Sequence, residues 1–477
     1  MSKIRQLASQ TAIYGTSTIL AKFLNYLLTP YFTRIMATGV YGEVTLLYGL
    51  IPFANVLLTM GMATAYFRWA AKAETLTEQK RLFTTLWGAV SMLALLFFAL
   101  TTIFQGPISD VMGYGDRTWY LVMTAALIAV DNIAAIPLAA LRQQGKALYY
   151  TVVNISGVLV NILCCYLFYT FIDGATAVAG WVIVANLIAS GVSLLMLMPN
   201  SIKLLCRGFS MDIFIKVARY SLPLMAAGVM GVGGDFFDRQ MLRWLLPEQI
   251  ALSQLGIYGA VAKIAALMII FRQIYTLGAE PFFLQNFKKD DFLKLNAAAL
   301  KYFTIAGLFV VLGISLFNEL FALIIDRSYR VGMGVVPILL VANLLMGILV
   351  NLSFWYKVVD KTRYAIYVTC TGLLTTVLLC IWLIPSMGYY GAALSHLGAA
   401  TMMVTMSYYF NQRHYKVPYQ VGSILIYMAL TAVLYFAGTL LAQAIDGVML
   451  YCCNFLLLLI FVCFAMWHEK LWKRLKL

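Results

Sequence analysis

The sequence predicts an all-α integral membrane protein that crosses the bilayer about fourteen times, and three observations predict it. Of the 477 residues, 62% are apolar and only 11% charged, where a soluble domain has roughly 25% charged residues. The apolar residues fall into fourteen runs, each near the roughly 20 residues that a helix needs to cross the hydrocarbon. Lys and Arg alternate between the ends of those runs, as they do when cytoplasmic loops collect the cations. A larger buried core does not explain so few charges, because a soluble chain of this length still needs a polar surface. A surface that faces lipid does.

The spans, in order, cover residues 8–33, 42–67, 83–104, 118–140, 148–171, 176–198, 220–245, 255–279, 297–318, 333–355, 364–384, 390–410, 421–441 and 448–467. Span one follows Lys3 and Arg5 and ends without an A-x-A site, so it is expected to be a retained helix. Span seven is the least apolar, because it carries Asp235, Asp238 and Arg239. With the N-terminus in the cytoplasm, 25 of the 34 Lys and Arg residues lie in cytoplasmic stretches and 5 in outer ones. The remaining four, Lys22, Arg239, Lys263 and Arg272, fall inside spans. An odd number of helices would scramble this bias, so both termini are placed in the cytoplasm. The net charge of +15 therefore belongs to cytoplasmic loops, and no nucleic-acid partner is expected.

Gly39-Val40-Tyr41-Gly42 opens span two, and Gly256-Ile257-Tyr258-Gly259 opens span eight, 217 residues later. A third copy, Gly388-Tyr389-Tyr390-Gly391, opens span twelve. The first offset equals six helices and preserves orientation, which predicts parallel repeats about an axis along the membrane normal.

Several chemistries find no support. The chain has no GxxxxGK[ST] loop for a nucleotide, and its histidines, His396, His414 and His468, are scattered. The eight cysteines form no CxxC and no Cys–His cluster, so they read as small packing residues. No loop exceeds about twenty residues, which leaves no extramembrane platform for a glycosyltransferase, polymerase or ligase. An enzyme is not expected, nor is a bound cofactor.

The informative residues are polar or ionisable groups at membrane depth, which are costly against lipid and should face a cavity or a partner. In span one, Thr11, Thr18, Lys22, Asn25 and Thr29 fall within an arc of roughly 60° at about 100° per residue. That stripe turns Lys22 and Asn25 toward water or protein; hydrogen bonds between helices account for Asn25 and the threonines but poorly for Lys22. In span seven, Gly228, Gly231, Gly233 and Gly234 precede Asp235, Asp238 and Arg239. Asp235 and Arg239 are spaced for a local salt bridge; the alternative is a proton or Na⁺ site on a helix able to bend. In span eight, Lys263 and Arg272 are nine residues apart, about 900° of rotation, so a straight helix turns them to opposite sides. Either can pair instead with Asp238, Asp131 or Glu280, and the deeper Arg272 is the better cavity residue. Asp131 in span four is a lone acidic position at mid-depth. It suits pairing with a neighbouring helix or ion coupling. Cations lining a cavity suit an anionic group, phosphate especially.

Thr11-Ala12-Ile13-Tyr14-Gly15, Leu28-Thr29-Pro30-Tyr31-Phe32-Thr33-Arg34, Gly39-Val40-Tyr41-Gly42 and Gly61-Met62-Ala63-Thr64-Ala65-Tyr66-Phe67-Arg68 resemble the opening of polysaccharide transporters of the multidrug/oligosaccharidyl-lipid/polysaccharide exporter superfamily. Tyr220-Ser221-Leu222-Pro223-Leu224, Asp238-Arg239-Gln240-Met241-Leu242, Gly256-Ile257-Tyr258-Gly259 and Lys263 are similar to that family's seventh and eighth helices. The resemblance implies two six-helix lobes, residues 1–204 and 205–415, in a V around a central cavity, with two further helices in 416–477. It implies flipping of a polyprenyl-pyrophosphate-linked oligosaccharide from the cytoplasmic to the outer leaflet of a bacterial inner membrane, for O-antigen, capsule or exopolysaccharide assembly. A monomer, driven by an H⁺ or Na⁺ gradient and working beside a polymerase and glycosyltransferases, fits that role. Related lipid II flippases place cations in helices one, two and eight for the pyrophosphate; Lys22 and either Lys263 or Arg272 match two of these, while span two has no interior cation. A drug or cation antiporter of the same superfamily is the alternative.

Overall fold

The computed structural model describes residues 15, 19–21, 23–115, 117–172, 174–286, 292–359, 361 and 363–470. These residues are almost wholly helical. Helices satisfy their own backbone hydrogen bonds, which is what a chain crossing hydrocarbon requires. In order they are α1 (Leu28–Ile35), α2 (Thr38–Thr59), α3 (Met62–Ala70), α4 (Leu76–Ile103), α5 (Gln105–Met112), α6 (Thr118–Gln143), α7 (Ala147–Phe171), α8 (Gly180–Leu204), α9 (Met211–Leu245), α10 (Glu248–Asn286), α11 (Phe292–Leu316), α12 (Asn318–Ala322), α13 (Val336–Val358), α14 (Arg363–Met387), α15 (Tyr389–His414), α16 (Val421–Ala444) and α17 (Gly447–His468).

Among the described residues, twelve helices are long and apolar enough to cross a membrane. They correspond to spans two to eleven, thirteen and fourteen. Of span one, residues 8–14, 16–18 and 22 lie outside the described residues. The twelfth span forms α15, 26 residues or about 39 Å long, but it is too polar to count among the twelve. Its polar groups Ser395, Ser407 and Asn411 are buried against protein.

Three element boundaries differ from expectation for physical reasons. Span two is two helices: Met60 and Gly61 both take left-handed backbone, φ 49° and 66°, and separate α2 from α3. Span three begins a full turn or more earlier, at Leu76. A capping box secures its start, with the Thr75 hydroxyl accepting from Glu78 N–H and the Glu78 side chain accepting from Thr75 N–H. Hydropathy misses this charged first stretch; capping chemistry reads it. Lys301, counted as cytoplasmic from sequence, lies inside α11 and is buried.

The chain divides into two compact units whose boundaries fall within α10, α14 and α15. The first comprises Met1–Gly259 and Cys380–Ala392. Its core joins α3, α4, α6 and α9 through Tyr66, Phe83, Leu86, Ile136, Ala140 and Val217. α9, which the sequence assigns to the C-terminal lobe, packs within this first unit: Phe236 stacks on Phe53 of α2 with centroids 4.7 Å apart, and a Cβ on Gly228 would lie 2.8 Å from Val56. Small residues let membrane helices approach closely.

The three echoed motifs meet inside this unit. A Cβ on Gly42 would lie 1.9 Å from the Leu252 carbonyl oxygen, and one on Gly256 would lie 1.9 Å from that of Thr38. α2 and α10 therefore cross backbone to backbone, and the Thr38 and Ser253 hydroxyls hydrogen-bond at 2.8 Å beside the crossing. In the third copy, Tyr389 N–H donates to Gln254 Oε1 at 3.2 Å.

The second unit comprises Ala260–Leu379 and Ala393–Leu477. α11 is its centre and packs on α13, α16 and α17. Phe283, Phe292 and Phe354 close one end. Lys301 of α11 makes a short ion pair with Glu469, just past α17, and both side chains are at least nine-tenths buried. Tyr427 and His468 surround the Glu469 carboxylate.

Candidate functional site

The polar residues of the first unit form a seam through its apolar helices. Asn161 of α7 donates to Asn25 Oδ1 at 3.4 Å, and Cys165, one turn on, faces Asn161. Asn186 of α8 donates to the Tyr48 hydroxyl at 3.2 Å. Ser190 of α8 donates to Asp131 Oδ1 of α6 at 2.6 Å. Asn132 donates to Asn55 Oδ1 of α2 at 2.7 Å. Three of these bonds tie α2, α6 and α8 together, and the fourth joins α7 to the helical residue Asn25.

Asp131 is half-buried in this seam, and the groups it meets are neutral: the Ser190 hydroxyl, the Asn55 amide and, close by, Tyr48. A carboxylate held at membrane depth by hydroxyl and amide groups, with no cation against it among the described residues, is able to take up and release a proton or a small cation. The expectation that Asp131 pairs with a neighbouring helix corresponds to its bond with Ser190.

The charged part of α9 lies in the same unit. Asp235 is exposed, Asp238 is 2% exposed, and Arg239 is half-buried. The Arg239 side chain runs along α2, its Cδ 3.0 Å from where a Cβ on Gly49 would stand. Tyr258 of α10 lies within the field of Asp238, Arg239 and Asp235. Gly49 thus opens the surface of α2 for an arginine brought by α9.

In the second unit, Lys263 is exposed and Arg272 half-buried. The Arg272 stem lies against Gly347 of α13, 3.5 Å from the position of an added Cβ. An aromatic wall flanks it: Phe271 stacks on Phe303 at 5.4 Å, and Tyr275 meets the same ring at 4.5 Å. The Tyr275 hydroxyl donates to the fully buried Asn351 at 2.5 Å. Lys22 lies outside the described residues.

Sequence reasoning found Asn25 and Asp131 but missed their partners, Asn161 and Ser190, and the accompanying Asn55, Tyr48 and Asn186. The available sign was an Asn or Ser inside an apolar span. Pairing these residues needs the tertiary structure, because the bonded partners are 59 to 138 positions apart.

The fold is shared with solved transporters. The lipid II flippase MurJ in an inward closed conformation superposes with a TM-score of 0.77 over 96% of this chain and 100% of that one, at 14% identity. An inward-facing multidrug resistance MATE family transporter of the MOP superfamily gives 0.69 over 82% and 94%, at 12% identity. A MOP superfamily transporter from Pyrococcus furiosus, described by a reversed polarity of its binding pocket, gives 0.57 over 85% and 95%, at 14% identity. No curated protein matches the chain in sequence. The sequence pattern of the polysaccharide biosynthesis protein family runs over residues 7–287, more than half of the chain and most of the helices that carry the seam, so this protein belongs to that family.

Proposed function

We propose that the protein flips a polyprenyl-pyrophosphate-linked oligosaccharide from the cytoplasmic to the outer leaflet of a bacterial inner membrane by alternating access. What supports this reading is membership of the polysaccharide biosynthesis family, together with three cations that the sequence puts inside apolar spans, Lys22, Lys263 and Arg272. A guanidinium held between α13 and an aromatic wall is suited to a pyrophosphate, which it can meet through paired N–H donors. The oligosaccharide follows the head group while the polyprenyl chain stays in lipid. Asp131 supplies a titratable group for coupling the cycle to an H⁺ or Na⁺ gradient, with Asp235 and Asp238 as the other candidates.

The test is complementation of a strain that lacks its own flippase, with membrane expression of each variant held equal. Lys22→Ala and Arg272→Ala should each lose surface glycan at least tenfold. Asp131→Asn keeps an acceptor for Ser190 and removes the titratable group, so its residual flux should no longer respond to an imposed pH or Na⁺ gradient. Normal glycan in both cation variants would refute the phosphate reading. The shared fold with multidrug transporters favours one alternative, a drug or cation antiporter; there, removing Lys22 should spare or improve efflux of a cationic drug.

A further inference from the structure

A second polar site lies at the end of the first unit that the charge count assigns to the outer side. It is a pocket of about 210 Å³ walled by Glu43 of α2, the Gly113–Gly115 turn after α5, Arg117 before α6, Arg243 of α9, and Glu248 and Leu252 of α10. Arg117 and Arg243 are two of the five outer cations, and neither belongs to the seam.

The hydrogen bonds in this pocket are unbalanced toward donors. Arg117 Nη1 donates to both Glu43 oxygens, at 2.5 and 2.8 Å. Arg243 Nη2 donates to the Gly113 carbonyl at 3.0 Å and to Glu248 Oε1 at 3.1 Å. Arg243 Nε and the Tyr114 hydroxyl, both buried, have no hydrogen-bond partner among the described residues. The Arg243 side chain is 10% exposed and Tyr114 is 8% exposed. Burial also pushes the Tyr114 phenol well up from its ordinary value, so it keeps its proton and remains a donor. No acceptor on the pocket wall is left over in the same way among the described residues. A buried donor without a partner costs free energy that a ligand carrying an acceptor recovers.

The acid on Arg243 is poorly held. Glu248 is 82% exposed, and an exposed pair of this kind contributes little. Glu248 can turn to water and leave the guanidinium to another acid. Glu43, 13% exposed and bonded through both oxygens, has no such freedom. Arg243 itself is fixed by the turn: a Cβ on Gly113 would lie 2.6 Å from Arg243 Nε, so only glycine there admits the guanidinium.

We infer that this pocket is an oxyanion site, taking a phosphate or carboxylate group on Arg243 Nε and the Tyr114 hydroxyl, with Glu248 as the displaceable counter-ion. The chemistry is the same whether the oxyanion is a free ion or belongs to the head group of an outer-leaflet lipid. The inference stands independently of what the protein transports.

The full chain, purified in a neutral detergent, is titrated with inorganic phosphate and with acetate at pH 7 by calorimetry. Saturable one-site binding is expected. Tyr114→Phe should weaken it about fivefold or more by deleting one donor, and Glu248→Gln should strengthen it severalfold by removing the competitor. A merely structural role for Glu248 would not raise affinity. The same titration in nanodiscs separates the sources: loss of phosphate binding when phosphatidylglycerol replaces phosphatidylcholine assigns the site to a lipid head group, and unchanged binding assigns it to a free anion. The absence of saturable binding to either probe, a pocket filled by water only, overturns the proposal. So does equal affinity in the wild type and both variants.

Discussion

The Lys301–Glu469 pair shows how much can rest on two side chains. Burial raises the Glu469 carboxyl, but the hydrogen bond and charge of Lys301, aided by His468, outweigh it and hold the group below its ordinary 4.5. A carboxyl depressed on folding contributes stability above its unfolded pKa, and loses that contribution as pH falls through the folded one. The thermal stability of the purified protein should therefore drop as pH is lowered below about 4.5, and Glu469→Gln should flatten that part of the profile. Lys301→Ala leaves the carboxylate buried without its cation and should cost on the order of 3 kcal/mol, read as a lower Tm at pH 7. Neither residue stood out in the sequence. Lys301 reads as a cytoplasmic cation, because it stands only four residues inside the start of span nine, and a partner 168 positions away leaves no local trace.

At the scale of helices, the crossing of α2 and α10 is decided by glycine. Gly42 and Gly256 each sit where a Cβ would meet a backbone carbonyl at 1.9 Å, whereas Gly39, in the same motif, has open space around it. Gly256→Val should lower Tm and expression sharply, because backbone cannot move aside as a flexible side chain can. Gly39→Ala should be nearly silent in the same assay. The sequence exposes the repeated motif through the 217-residue offset, but not that the copies touch, since recurrence alone reports similar placement and not contact. Helix ends follow the same rule. The Thr75–Glu78 cap is readable from four residues, while the break at Met60–Gly61 interrupts a run whose hydropathy continues through Met62, Ala63 and Ala65 and so leaves no mark.

For the whole molecule, the number of crossings was the most legible property, because lipid selects for it at every position of a span. Twelve of the expected fourteen meet the criteria of length and apolarity among the described residues. The polar face of α15 makes it the exception in the C-terminal part. Membership of spans in packed units was less legible: α9 follows its contacts with α2 and α3, and loop lengths carry no record of them. The charge pattern makes an orientation testable. A fluorescent protein fused after residue 477 should be fluorescent, and alkaline phosphatase fused there should be inactive. The same phosphatase inserted at Ser328, beside the outer Arg327 and Arg330, should be active. The opposite result at both positions would invert the map.

The meeting of the three glycine motifs also sets a timetable. Thr38 and Ser253 bond across 215 positions, and the unit that contains them also takes in Cys380–Ala392. A ribosome adding roughly 5–20 residues per second supplies the second motif at least ten seconds after the first, and the third several seconds later still. During that interval the Gly42 face of α2 stands in the bilayer with no neighbour at the notch that will receive α10. The first unit therefore cannot close on itself as it emerges; it is finished only when about four-fifths of the chain has been made. Synthesis halted between the first and second motifs should leave a membrane-inserted chain that remains protease-sensitive at the start of α2, and release of the stalled ribosome should restore protection.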